Sequence, residues 1–200
     1  VSVPEGYASK VDGNTITNTL SRTTVDIPVS KQWIGPVPEN TELEMVLYRT
    51  TDASVEKPVW EEVQTLTLPV MDGEKAVWTD TAKDLPMYDQ NYNTYTYKVV
   101  EKNTPSGYTA SYNGFIVTNT VEQELITVSG QKYWREIPDG SNYLPSEITI
   151  ELLANGTPIQ EQVTAADKNW EYSFDNLKKY DLEDGRDGKE ITYSVREKGV

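Results

Sequence analysis

Three polar side chains of this sequence fall where strand parity expects apolar ones. In a β-strand, residues of equal parity share a face. Before Trp33, the residues Ile27, Val29, Lys31 and Trp33 fall together, with Pro28, Ser30 and Gln32 opposite. Tyr97, Val99 and Glu101 make a second such face, and Phe115, Val117 and Asn119 a third. An amine, a carboxyl and a carboxamide are therefore expected on core-facing positions. Unpaired buried charge is costly, so the three call for a shared explanation. One is a buried Lys–Glu ion pair with a hydrogen-bonding Asn, or a parity slip at a bulge. The other is chemical. Desolvation favours a neutral amine and a neutral acid, and a neutral amine held against an amide carbonyl is a nucleophile facing an electrophile. The acid can polarise that carbonyl and relay a proton to departing ammonia. The product is an amide between Lys and Asn side chains, and both buried charges vanish.

The same pattern occurs again along the chain. Lys132 shares a face with Ile126, Val128, Gly130 and Trp134; Glu197 with Tyr193 and Val195; Asn18 with Ile16 and Leu20. These recurrences belong to an internal repeat. Gly6-Tyr7 returns as Gly107-Tyr108 and Ile16-Thr17-Asn18-Thr19 as Val117-Thr118-Asn119-Thr120, both shifted by 101. Trp78, Leu85 and Tyr88 return as Trp170, Leu177 and Tyr180, and Tyr97–Glu101 as Tyr193–Glu197. The repeat is out of phase with the chain: residues 1–20 read as the terminal strand of a preceding or complementing unit, 21–120 as a whole unit, and 121–200 as a unit lacking its terminal strand. Short links, Ser21-Arg22-Thr23-Thr24 and Glu122-Gln123-Glu124, join them.

Each unit suits one Ig-sized antiparallel sandwich, so the fold class expected is all-β. Turn clusters such as Pro38-Glu39-Asn40 and Asn155-Gly156, with Pro69, Gly73, Pro86, Pro105, Gly107 and Gly114, punctuate strand-length runs. At most a helical turn is expected, at Thr79–Lys83 or Asp181–Asp187. In 200 residues, 18 basic against 32 acidic side chains leave a net charge of −14, with no His and no Cys. Disulfides, thiolate nucleophiles, zinc sites and Ser–His catalysis are excluded. The negative charge argues against nucleic acid and anionic membrane as partners.

In order, the pattern Lys-x-Trp, Tyr-x-Val-x-Glu, Gly-Tyr and Ile/Val-Thr-Asn-Thr resembles the Cna B-type repeat of Gram-positive surface adhesins. Residues 21–120 match throughout, 121–200 match up to the glutamate, and 1–20 match the terminal strand. The resemblance implies tandem reverse-Ig sandwiches, each stapled by a spontaneous isopeptide bond between first and last strands. It makes Lys31 and Asn119 the partners, with Glu101 the catalytic acid. It assigns Lys132 and Glu197 the same roles in the second unit, and gives Asn18 the asparagine role of a unit whose lysine lies elsewhere.

The function this implies is structural: stalk repeats of a cell-wall-anchored extracellular adhesin that resist force and proteolysis, the anchor lying outside these residues. Glu101 would act once per molecule, so no turnover enzyme is expected. No cofactor or metal is expected either; the acidic run Asp181, Glu183, Asp184 and Asp187 lacks EF-hand spacing and reads as a solvated turn. Leu144–Ile148 lacks the threonine and glycine of a sortase signal. The alternative is a ligand-binding module contacting a host matrix protein or glycan, for which the sequence offers Trp60 and the loop Thr50–Lys57. The expected partners are neighbouring repeats and, for a full-length protein, a host ligand. Asn18 precedes Lys31 by 13 residues, as Asn119 precedes Lys132. Two expectations follow: head-to-tail donation of residues 1–20 to the second unit of another copy, or a longer protein of which these residues are a window and which supplies the missing strand itself.

Overall fold

A computed structural model describes residues 2–4, 6–20, 23–38, 42–68, 77–136, 143–183 and 185–199. Several sequence expectations lie outside the described residues: Ser21 and Arg22 of the first link, Glu39 and Asn40, Pro69, Gly73, and Asp184 of the acidic run. The chain divides into two compact units. Unit 1 comprises Val1–Trp33 with Val37–Thr120, and unit 2 comprises Ile34–Pro36 with Val121–Val200. The fold is all-β, as tandem Ig-like antiparallel sandwiches.

Unit 1 opens with a hairpin, β1 (Tyr7–Asp12) and β2 (Thr15–Leu20), that forms a two-stranded sheet by itself. Every residue of its strands except Leu20 is exposed. The sandwich follows. One sheet has the order β6-β3-β9-β8, from β3 (Thr24–Ile34), β6 (Val77–Pro86), β8 (Tyr108–Asn113) and β9 (Ile116–Val121). The other has the order β5-β4-β7, from β4 (Glu44–Thr50), β5 (Glu61–Thr67) and β7 (Thr96–Glu101). Burial alternates along β3 as parity requires, with Ile27, Val29, Lys31 and Trp33 inside. These pack with Met45, Leu47, Leu66, Trp78, Val99 and Val117 into one core.

Unit 2 repeats this plan up to a point. β10 (Leu125–Gln131) pairs with β13 (Glu171–Lys178), and β11 (Glu147–Ala154) lies between β12 (Thr157–Ala165) and β14 (Tyr193–Glu197). The β11–β12 turn is Asn155-Gly156, both with positive φ (48° and 82°), as a two-residue type I′ hairpin needs. No described strand lies on the second edge of β10.

Two sequence expectations are corrected. Thr79–Lys83 is not a helical turn but the middle of β6. That strand is a sheet edge with Thr79 and Asp80 both exposed, so its alternation is faint. It also bulges: Asp84 takes φ 55° and donates its N–H to the Asp26 carboxylate at 2.9 Å, opposite a register shift between Val25 and Ile27. Among its described residues, Asp181–Asp187 holds no helix. Among the described residues, a single 3-10 turn lies instead at Ala166–Lys168. In the acidic run itself, Asp181 pairs with Arg186 at 3.2 Å, and Asp187 with Lys189 at 2.6 Å.

Candidate functional site

β3 and β7 belong to opposite sheets of unit 1, and β9 is hydrogen-bonded beside β3. The inward parity of each strand carries Lys31, Glu101 and Asn119 into the same core. Both charged side chains are wholly shielded from solvent, and Asn119 is 0% exposed. Glu101 stands between the other two. Its Oε2 lies 3.3 Å from the Lys31 Nζ, and its Oε1 accepts a hydrogen bond from the Asn119 Nδ2 at 2.9 Å. Lys31 Nζ, Glu101 Oε2 and Asn119 Oδ1 are buried without a well-formed hydrogen bond. Three polar atoms left so in a core are expensive, and an amide bond that removes the charges relieves that cost.

Burial pushes the Lys31 ammonium down from 10.5 to about 8, against the opposing pull of Glu101. A useful fraction of the amine is then unprotonated near neutral pH, which is what nucleophilic attack requires. The contact of Glu101 with Asn119 is to the amide nitrogen, the atom that would leave as ammonia. Polarising the carbonyl through Oδ1 instead requires the amide to turn over, or the acid to reach its other side.

Parity alone did not single out Trp33 as part of this site. Its ring lies 4.4 Å below the Lys31 Nζ, and Tyr108 of β8 meets it edge-on with centroids 5.2 Å apart. The Lys-x-Trp spacing carries the signal, since residues i and i+2 share a strand face. Tyr112 adds a contact from its hydroxyl to the Glu101 N–H at 3.4 Å.

In unit 2, Lys132 and Glu197 meet at 2.8 Å, and Lys132 again lies over a tryptophan, Trp134, at 4.9 Å. Their side chains stay 34% and 23% exposed. Asn18 is not brought to any lysine within unit 1. It lies on the β1–β2 hairpin, paired in register with Ser9 and exposed. Trp78 and Trp170 are core residues. Trp60 is half-buried, with the Lys98 ammonium 4.1 Å over its ring.

A scan against protein-family models matches the Cna protein B-type domain at residues 27–120 and again at 128–200. A "Collagen adhesin" of Staphylococcus aureus is 33% identical over 186 residues, which is 88% of this chain and 15% of that protein. The chain thus spans about 15% of the length of the curated relative it matches. Among solved structures, two B repeat units of the collagen binding protein of S. aureus align over 98% of this chain and 50% of that one, at 23% identity and a TM-score of 0.40. A single B repeat unit of the same protein aligns over 88% of this chain and 87% of that one, at 22% identity and a TM-score of 0.37.

Proposed function

Because the chain belongs to the Cna protein B-type domain family, we propose that it forms stalk repeats of an extracellular, cell-wall-anchored adhesin, and that unit 1 is stapled by a Lys31–Asn119 amide made without any enzyme. The observation that carries this reading is the solvent-free Lys31–Glu101–Asn119 cluster, with one carboxylate within reach of both amine and amide nitrogen. In the reaction, the neutral Nζ of Lys31 attacks Cγ of Asn119. The Cγ–Nδ2 bond breaks, one amine proton passes through Glu101 to the leaving nitrogen, and ammonia departs. Charge and atoms balance with no oxidant, and Glu101 acts once per molecule and is left unchanged.

The loop from Lys31 to Asn119 holds 89 residues. Closing it is worth ~4–5 kcal/mol if the loop-entropy relation for disulfides carries over. Tension applied between first and last strands would then run through covalent bonds instead of the sheet. Neighbouring repeats of the same protein are the expected partners. Binding of a host matrix protein, which the relative's name suggests, is the second reading. Little in unit 1 favours it, since Lys98 already occupies a face of Trp60 and sits 5.7 Å from the ring of Tyr48.

The deciding measurement is the intact mass of the denatured chain. Wild type should fall short of the sequence mass by at least one ammonia, and Lys31→Ala should restore that ammonia. A wild-type mass equal to the sequence mass overturns the bond.

A further inference from the structure

We infer that Trp33 is a positioning residue of the Lys–Asn reaction: its ring face holds the Lys31 amine so that the nitrogen lone pair turns toward Asn119. This role rests on the bond chemistry proposed above and goes beyond it.

A lysine amine ends a flexible four-carbon stem, so burial alone does not aim it. Two groups hold Nζ in unit 1. Glu101 Oε2 lies 3.3 Å away, and the centroid of the Trp33 ring 4.4 Å away. The second distance is well within the range at which an indole face attracts a cation. The ring is itself fixed, because Tyr108 of β8 meets it edge-on at 85° with centroids 5.2 Å apart.

Unit 2 keeps the same contact with different support. Lys132 Nζ lies 2.8 Å from Glu197 and 4.9 Å from the Trp134 centroid, and Trp170 meets Trp134 at 69° and 5.3 Å. No counterpart of β8–β9 lies among the described residues there. The lysine therefore rests on the indole before any asparagine is at hand.

The contact changes meaning when the amine loses its proton. As an ammonium, Nζ is favoured by the ring and by Glu101, while burial opposes the charge. As a neutral amine it keeps two N–H bonds and one lone pair. With one N–H on Glu101 Oε2 and the other on the ring face, the lone pair points away from both. That leaves it the side of Asn119, whose Nδ2 is held by the other Glu101 oxygen at 2.9 Å. The lone pair forms the Nζ–Cγ bond as Cγ–Nδ2 breaks, and an amine proton passes through Glu101 to the departing ammonia. Around Lys31, β6 brings Trp78 in register, β7 Glu101, β8 Tyr108 against the ring, and β9 Asn119, while β4 faces the same core with Met45. Glu101 is the one carboxylate in that set.

Two measurements on the 200-residue chain test this. In Asn119→Ala, where no bond forms, the NMR resonance of the Lys31 Cε follows its titration. Adding Trp33→Leu should lower that pKa by about one unit, because the ring no longer favours the ammonium. For the rate, the chain is made by chemical synthesis, held in denaturant and diluted into buffer to fold. A protease digest then times the appearance of the peptide cross-linked through Lys31 and Asn119. Trp33→Leu should slow it by at least ~10-fold although more of its amine is neutral. Trp33→Phe restores an aromatic face and should recover most of that loss. A lower pKa with a slower reaction is not what plain loss of packing gives, since water admitted to the core moves the amine back toward 10.5. A pKa that rises in Trp33→Leu overturns the inference, as does cross-linking at the wild-type rate or a Phe variant no better than Leu. Should Trp33→Leu not fold, Trp33→Phe carries both tests, with smaller changes of the same sign. If wild type forms no cross-link, the bond itself falls, and the titration alone decides whether the ring holds the amine.

Discussion

Units 1 and 2 place the same lysine and glutamate on corresponding strands, but only in unit 1 is the pair dry. Lys31 and Glu101 have no exposed side-chain surface, whereas Lys132 and Glu197 keep a third and a quarter of theirs. The strands that carry the two charges are present in both units. What differs is the β8–β9 hairpin, which has no counterpart among the described residues of unit 2. Burial of the charges therefore comes with the last hairpin and not with the strands that bear them. This has a chemical consequence. The hairpin that strips water from the amine also brings the asparagine, so in the proposed reaction activation and delivery of the electrophile are one event.

The comparison is broken most directly by removing each lysine. Lys31→Ala should cost unit 1 the staple, ~4–5 kcal/mol by the loop estimate. Lys132→Ala removes a partly solvated pair and should cost unit 2 no more than about 1 kcal/mol. Hydrogen exchange of the β4 and β11 amides reports the two units separately. Equal losses would mean that the hairpin does not set the difference.

Glu101→Gln comes next. It keeps the shape of the side chain and removes the proton relay, so ammonia loss should stop while unit 1 still folds. The unlinked unit should melt lower by nearly the staple's contribution and be cut faster by trypsin. Ammonia loss at the normal rate in this variant would take the catalytic role from Glu101.

A smaller effect follows from the Lys31 ammonium itself. In Asn119→Ala the amine stays free, with its pKa held at about 8 by burial against 10.5 in the unfolded chain. Between those values the unfolded state binds more protons, so stability rises with pH. The penalty is complete below pH 8 and is lifted by pH 10.5, a change of about 3 kcal/mol. Subtracting the same curve for Asn119→Ala with Lys31→Met isolates it. A flat difference would show that the cavity admits water.

How much of this was legible in the sequence depends on what each residue needs from its surroundings. Lys31, Glu101 and Asn119 were legible because parity is a local property, and polar residues in an alternating run stand out. Val29 and Trp33 on either side of Lys31 fix its face. Asn18 obeys the same parity with Ile16 and Leu20, yet its face is bare, because parity names a face without saying whether a sheet covers it. β6 was misread for a different reason. An edge strand can be polar on both sides, and its bulge at Asp84 breaks the period just where a helical turn was expected. The repeat offered a correction: Asn176 takes φ 57° at the matching place in β13, opposite a register shift between Ile126 and Val128. Asp and Asn tolerate that backbone region better than most residues, so the paired positions mark a shared bulge.

The smallest predicted effect should be alike in both units, and that likeness sharpens the contrast. Tyr97 donates its hydroxyl to the Pro86 carbonyl at 2.5 Å, and Tyr193 donates to the Lys178 carbonyl at 2.8 Å. Both bonds tie the start of a Tyr-x-Val-x-Glu strand to the end of the strand before it. Neither involves a residue of the last hairpin. Partial burial raises both phenols above their ordinary pKa, so the hydroxyls remain donors well past neutral pH. Tyr97→Phe and Tyr193→Phe should each cost about 1 kcal/mol, the net worth of one such hydrogen bond. The two losses should agree within about 0.5 kcal/mol, with the more buried Tyr97 the larger. Denaturant midpoints read through the β4 and β11 amides would check this. A cost confined to unit 1 would mean that the corner bond, too, depends on the hairpin.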